Sequence, residues 1–311
     1  MSKNELLQKC QDLHLQRYKS KTKAQLLELL NSYNNEIDTN ENIKEKKLIT
    51  NHLKPIIKWS GGKGDEIEKF KHFIPEKYNL YLEPFIGGGA VFFYIMPEKA
   101  IISDVHKELI DLYTCIASGK GKEIYTFMEE NKNEEENYYN IRDKMNINNI
   151  VDSAKKFYYE RKTCFRGMLR YNKNGKFNIP FGRYKTIKYD DLINPDYEIL
   201  LKKTKILKES FEYIFENYND EQNFMFLDPP YDSEFTDYGY CKFGKEEQKK
   251  LATLFKITKI KCLMIIGKTP FITELYKDYI VGEYEKQYKF KLYNGRIGNE
   301  INTKHLIIKN Y

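Results

Sequence analysis

The chain has 311 residues, 41% hydrophobic and 15% aromatic, enough for one large packed domain or a large domain with a smaller module. No apolar run approaches membrane-spanning length and no apolar signal-like stretch opens the chain, which argues against a membrane-spanning or exported protein. Five scattered cysteines without a Cys-x-x-Cys pair and five dispersed histidines argue against a disulfide framework and give no metal-ligand spacing, and the formal net charge of +7 is modest beside its uneven distribution.

Leu6, Leu7, Cys10 and Leu13 fall at helical spacing, as do Leu26, Leu27 and Leu30, so residues 2–33 are predicted to form two short helices. The link between them, Arg17-Tyr18-Lys19-Ser20-Lys21-Thr22-Lys23, is basic, and Thr22 is placed to cap the second helix. The pattern resembles the SAP module, a helix–extension–helix unit that binds DNA, with Lys21 and Lys23 aimed at phosphate. The alternative is a helical hairpin that docks on the main domain or on a partner protein. Asn34 to Lys47 lacks apolar periodicity and is predicted to be a linker.

The main domain opens near His52. Pro55-Ile56-Ile57-Lys58-Trp59-Ser60-Gly61-Gly62-Lys63 is an extended segment running into a glycine turn. It is not a P-loop, because Gly64 stands where Ser or Thr would hold magnesium. Trp59, the single tryptophan, is either a core residue or a face for a bound heterocycle. From Leu80 a short apolar strand enters Glu83-Pro84-Phe85-Ile86-Gly87-Gly88-Gly89 and then an apolar helix start. Such glycines let backbone amides approach a ligand and let the helix pack on the sheet. Phe92 stands where a dinucleotide fingerprint wants another glycine, which weakens a nicotinamide reading. The second strand, Lys99 to Ser103, ends in Asp104, an acid placed to accept hydrogen bonds from ribose hydroxyls. A glycine turn, a strand-tip acid and no phosphate site point to a nucleoside-like ligand, with S-adenosylmethionine the leading candidate.

Tyr113 to about Tyr197 is helical and loop-rich, an insertion between strands. Eleven Lys or Arg residues lie between Lys155 and Lys188 against one acid, Glu160, a skew that suits a surface lying on a nucleic-acid backbone. Asn172-Lys173-Asn174-Gly175 is a turn signal, and Phe177 to Phe181 is the candidate return arm of a hairpin that enters a groove. A solvated basic face is the plainer alternative.

Phe224-Met225-Phe226-Leu227 has the character of a buried strand and stops at Asp228-Pro229-Pro230-Tyr231. Prolines cannot continue a central strand, so the chain turns rigidly at the strand's C-terminal edge, where open α/β sheets bind ligands. One carboxylate, backbone carbonyls and a flat aromatic face suit a planar base with an exocyclic amine. Tyr231 to Phe243 is predicted to be a lid, Lys245 to Phe255 an amphipathic helix, Ile260 to Ile266 a strand, and Glu283 to Tyr311 a terminal hairpin.

In this order, Lys58-Trp59-Ser60-Gly61-Gly62-Lys63, Glu83 to Gly89, Asp104, the Phe165 to Tyr184 block, Asp228-Pro229-Pro230-Tyr231 and the closing His305-Leu306-Ile307-Ile308-Lys309-Asn310-Tyr311 resemble the DNA adenine methylase family, alpha group, from about Ile56 onward. The resemblance implies a Rossmann-like α/β methyltransferase sheet and methyl transfer from S-adenosylmethionine, without a metal, to the amine of an adenine flipped out of double-stranded DNA. It implies cofactor contacts by Trp59, Lys63, Glu83, Phe85, Gly87, Gly89, Asp104 and Asp228. Catalysis then falls to Asp228, Pro229, Pro230 and Tyr231, and DNA contacts to Phe165, Arg166, Arg170, Asn172, Lys173, Pro180 and Arg183. Arg170 matches an arginine that reads guanine, pointing to a GATC-like site. Two departures stand out: Arg166 follows the hairpin aromatic where many relatives carry asparagine, and Gly267-Lys268-Thr269 replaces a common Ser-Asn. The organisation expected is a SAP-like module over 1–35, a linker over 36–51, a catalytic domain from 52–112 and 205–311, and a target-recognition domain over 113–204. A monomer inside the cell, associated with DNA and paired with a cognate restriction endonuclease, completes the expectation. The rival readings are an inactive DNA-binding regulator on the same fold and an RNA adenine methyltransferase.

Overall fold

A computed structural model describes residues 2–12, 18, 21–28, 30, 52–232, 243–288 and 301–311. The predicted linker, most of the predicted lid (233–242), Leu13 and part of the basic link before Thr22 lie outside the described residues. Two compact units are present, Met1–His52 and Leu53–Tyr311.

In the first unit, helix Lys3–Asp12 and a helix over 23–28 share a small core of Leu6, Cys10, Leu26 and Leu30. Both helices start with reciprocal caps. Ser2 Oγ accepts from the Glu5 amide while Glu5 accepts from Ser2, and Thr22 does the same with Gln25, as expected of Thr22. Leu27, predicted to lie on the apolar face, is instead exposed.

The second unit is built on a seven-stranded sheet in the order β3-β2-β1-β4-β5-β7-β6, with β1 Tyr81–Glu83, β2 Ala100–Ser103, β3 Thr204–Leu207, β4 Phe224–Leu227, β5 Lys261–Gly267, β6 Ile280–Tyr288 and β7 Ile301–Lys309. The first five are parallel, and β7 runs antiparallel between β5 and β6. This is the Rossmann-like α/β methyltransferase sheet expected. Strand β4 shows why: all four residues are buried, and they alternate between the two faces. Phe224 and Phe226 join one apolar cluster, Met225 and Leu227 the other. Helices Lys107–Ala117, Gly121–Glu130 and Ile150–Thr163 pack in the first cluster, and helices Phe211–Asn217, Lys245–Ile257 and Pro270–Tyr276 in the second. Phe157, Tyr158 and Tyr159 share their cluster with Phe92, Phe93 and Phe226, so the basic region is rooted in the core of the sheet.

Strand order reverses between β1 and β4. Glu83 closes β1, Asp104 follows β2 and Asp228 follows β4, so three acids stand at adjacent C-terminal strand tips.

Candidate active site

Asp228 and Lys63, 165 positions apart in sequence, form an ion pair with Nζ 2.5 Å from Oδ1. The lysine is 1% exposed and also donates to the Gly61 carbonyl at 2.8 Å, so the glycine turn after Trp59 fixes where its ammonium sits. Burial lifts the Asp228 carboxyl above its usual range, and Lys63 pulls the other way. The same ammonium lies 5.1 Å from the centre of the Tyr231 ring. Pro229 is buried, and the Pro230 carbonyl accepts from Gln248 Nε2 at 2.7 Å, pinning the turn to the helix behind it. Asp232 accepts from Thr269 Oγ1 at 2.9 Å, and Thr269 caps helix Pro270–Tyr276. Gly267 faces the Tyr231 ring: a Cβ there would lie 3.3 Å from it.

Asp104 is buried, with Oδ2 accepting from the Gly87 amide at 3.1 Å and Oδ1 from the His106 amide at 3.0 Å. Burial outweighs these bonds and raises its carboxyl to about 6, so it is ionised at neutral pH. Each oxygen keeps a further lone pair for a hydroxyl. Phe85, half-buried, stacks on Phe211 at 5.5 Å and meets Phe243 edge-on at 5.6 Å, giving an apolar wall at the tip of β1. Glu83 is turned inward instead. Tyr81 donates to it at 2.5 Å, and burial pushes its carboxyl well above the usual range. That bond fixes the carboxylate at the end of β1, beside the tips that carry Asp104 and Asp228.

The glycines serve the indole. A Cβ on Gly87 would stand 2.6 Å from Trp59 Cδ1 and one on Gly88 2.9 Å from Trp59 Cβ, while Gly89, at φ +70°, makes room for Phe93. Trp59 also meets His106 edge-on at 5.6 Å and carries the Arg161 guanidinium at 5.6 Å from its ring. An open groove of about 680 Å³, within the usual range for small-molecule sites, runs past Lys58, Trp59, Gly62, Gly88, Arg166 and Tyr184.

The basic region divides by exposure. Arg161 is buried and donates to the Lys58 carbonyl, whereas Arg166, Arg170, Lys173, Lys176, Arg183, Lys185 and Lys188 are exposed. Glu160, the one acid of the block, is buried, and desolvation raises its carboxyl to about 8, so it adds little negative charge at neutral pH. The two arms meet through antiparallel bridges Cys164↔Phe181 and Tyr171↔Phe177. Asn172 Oδ1 accepts from the amides of Asn174 and Lys176, so this side chain builds the turn. The Phe165 amide donates to the Pro180 carbonyl at 2.8 Å. Arg170 Nε donates to Asn178 Oδ1 at 2.8 Å, and Arg183 pairs with Glu135 at 3.0 Å. Phe165 is half-buried on the core with Arg166 5.3 Å over its ring, while Met168 is exposed.

Four groups at the site lie outside the sequence expectations: Glu66, His106, Gln248 and Tyr171. Glu66 follows Lys63 at i,i+3 spacing and His106 follows Asp104 by two residues, usable local signals; Gln248 and Tyr171 are brought in by tertiary packing. His106 Nδ1 accepts from the Leu109 amide at 3.2 Å, so its proton sits on Nε2, 2.7 Å from Tyr171 Oη. Burial, then Arg161, lowers His106 to about 3 and keeps it neutral. Among the described residues no group of three or more His, Cys, Asp or Glu side chains is placed to hold a metal ion, and no helix is long and apolar enough to cross a membrane.

Residues 59–292 match the D12 class N6 adenine-specific DNA methyltransferases. The chain is 59% identical over 261 residues to the Type II methyltransferase M.CviBI of Paramecium bursaria Chlorella virus NC1A, a match covering 83% of this chain and 100% of that protein. It is 35% identical to the Type II methyltransferase M.MjaIII of Methanocaldococcus jannaschii over 66% of this chain and 80% of the relative. The DNA adenine methylase of Haemophilus influenzae is 30% identical over 72% of this chain and 82% of its own length.

Proposed function

The chain belongs to the D12 class of N6 adenine-specific DNA methyltransferases, and from that premise we propose that S-adenosylmethionine is its methyl donor and that transfer takes place at Asp104, Lys63, Asp228 and Tyr231. The enzyme is an adenine-specific DNA methyltransferase, and DNA is its substrate. The observation that carries the site reading is the meeting of Lys63, Asp228 and Tyr231 at the strand-order switch, with only β1 between the Asp228 and Asp104 strands.

The residues fit the cofactor. Asp104 offers acceptors for a ribose diol, and Phe85 and Phe211 an apolar wall for a purine. When bound, S-adenosylmethionine supplies a methyl group on a cationic sulfur. The protein's task is to present the adenine amine, a weak nucleophile because its lone pair is delocalised into the ring. A paired adenine is out of reach in the duplex, and extruding it costs a few kcal/mol. Tyr231 then stacks the base, while the Asp228 carboxylate and the Pro229 carbonyl accept the two amine hydrogens. The Pro230 carbonyl already accepts from Gln248, so Pro229 is the backbone acceptor we assign. Accepting both hydrogens returns electron density to nitrogen and fixes its direction of attack. Lys63 holds the Asp228 carboxylate in place.

The exposed arginines and lysines of the 155–188 region are assigned to the DNA backbone and groove, residues 113–204 to target recognition, and Arg170, braced by Asn178, to a guanine of a GATC-like site. The N-terminal unit is assigned to DNA binding as a SAP-like module. A monomeric enzyme inside the cell with a cognate restriction endonuclease completes the proposal. Asp228→Ala tests the site: methyl transfer should fall by about 100- to 1,000-fold, the scale of losing one preorganised polar contact, with DNA affinity retained. Undiminished transfer in that variant would sink the assignment.

A further inference from the structure

Glu66 lies one helical turn beyond Lys63, is 3% exposed, and is met from three sides. His305 Nδ1 is 2.6 Å and Tyr284 Oη 2.7 Å from Oε2, and Lys286 Nζ is 2.9 Å from Oε1. Burial by itself would raise this carboxyl, but His305, Lys63, Lys286 and Tyr284 together hold it at about 2, so it stays charged across the working range. Tyr284 and Lys286 come from β6 and His305 from β7. The last hairpin of the sheet is thereby tied to the segment that carries Lys63.

His305 is fully buried, and its ring meets Tyr231 at 5.2 Å with the planes 78° apart, an edge-to-face contact, and Tyr284 at 5.6 Å. The Tyr231 ring therefore has His305 as one support, the Lys63 ammonium at 5.1 Å as a second, and the Cβ-free face of Gly267 as a third. Edge-to-face aromatic pairs have preferred geometry, so an imidazole that cannot rotate transmits that geometry to its neighbour.

We infer that His305, anchored by Glu66, is a positioning residue that sets the plane of Tyr231 and hence the seat of the target base. This rests on the reading that Tyr231 stacks the adenine. His305 touches neither reacting atom. It acts through Tyr231, and β7 becomes part of the base-binding apparatus as well as a strand of the sheet.

His305→Asn places an amide nitrogen near the Nδ1 position, keeping the bond to Glu66 while removing the ring edge from Tyr231. Single-turnover methyl transfer to saturating duplex DNA should fall about tenfold, with the dissociation constant for S-adenosylmethionine, read by calorimetry as a check on folding, unchanged. In a Tyr231→Ala background the same substitution should add no further loss, because residues acting through one another are not additive. His305→Asn at the wild-type rate, while Tyr231→Ala is slow, overturns the inference alone. Equal losses in both backgrounds also overturn it, since they mark a general structural role. Tyr231→Ala at the wild-type rate overturns the stacking reading, and the inference with it.

Discussion

At the scale of single residues, the site depends on acids whose surroundings set their charge. Asp104 is the instructive case. Its carboxyl, raised by burial to about 6, is ionised at pH 7.5 and protonated below pH 6. A protonated Asp104 loses acceptor capacity, so affinity for S-adenosylmethionine should fall as pH drops through 6, approaching tenfold per unit below it. Calorimetric titration from pH 5 to 8 checks this, and Asp104→Asn should bind weakly with a flat profile. The placement of Asp228, Asp104 and Tyr231 at strand ends is legible in the sequence because each follows a strand pattern that the chain itself interrupts. The pairing of Lys63 with Asp228 was not legible, since nothing in spacing announces a contact across 165 positions. Glu83 is similar: its place in a motif says nothing of its hydrogen-bond partner, and the bond from Tyr81 emerges only in the folded chain.

Among the elements, helix Ile150–Thr163 and the hairpin after it hold local conflicts, two of which have directly measurable consequences. Glu160 is 4% exposed and its Oε1 lacks a hydrogen-bond partner among the described residues. With its carboxyl raised from 4.5 to about 8, the folded state keeps a proton that the unfolded chain releases between those values. Stability contributed by the neutral form is thus present below pH 4.5 and lost as pH rises toward 8. Glu160→Gln should flatten that dependence and raise the melting temperature at pH 8 more than at pH 5, as thermal unfolding at the two values will report. Arg166 is the second conflict, with φ +57° followed by Gly167 at φ +62°. Asparagine adopts this left-handed region more readily than arginine. Arg166→Asn should stabilise the fold by a fraction of the roughly 1–2 kcal/mol that a left-handed residue costs, and weaken DNA binding at low salt by removing an exposed charge. Urea unfolding and salt-dependent DNA titration separate the two effects. β1, β2, β4 and β5 are readable from short apolar runs, the first three ended by acids and β5 by a glycine. Strand β3 was not, because as an edge strand only its first residue is fully buried and no apolar run marks it.

The whole molecule joins a methyltransferase unit to a small helical one. The family match begins at residue 59, after the first unit ends at His52. If that unit binds DNA, it raises the local concentration of sites for the enzyme, and removing residues 1–45 should weaken duplex binding by at least tenfold while S-adenosylmethionine affinity holds. Fluorescence anisotropy on a labelled duplex decides it; unchanged DNA affinity would assign the unit to another partner. The order of motifs along the chain was enough to recognise the fold and the family. That order is set by the parallel sheet, in which each motif closes a strand at the same edge. The supports behind those acids, His305 and Gln248 among them, come from packing.

The most direct test of the account is transfer of labelled methyl from S-adenosylmethionine by the full chain to duplex DNA, with the modified positions mapped by sequencing. N6-methyladenine is expected at one short motif, GATC-like in sequence, with no comparable transfer to RNA of the same sequence. Intact cofactor and DNA binding without methylation of any adenine, or methylation of RNA in preference to DNA, would contradict it.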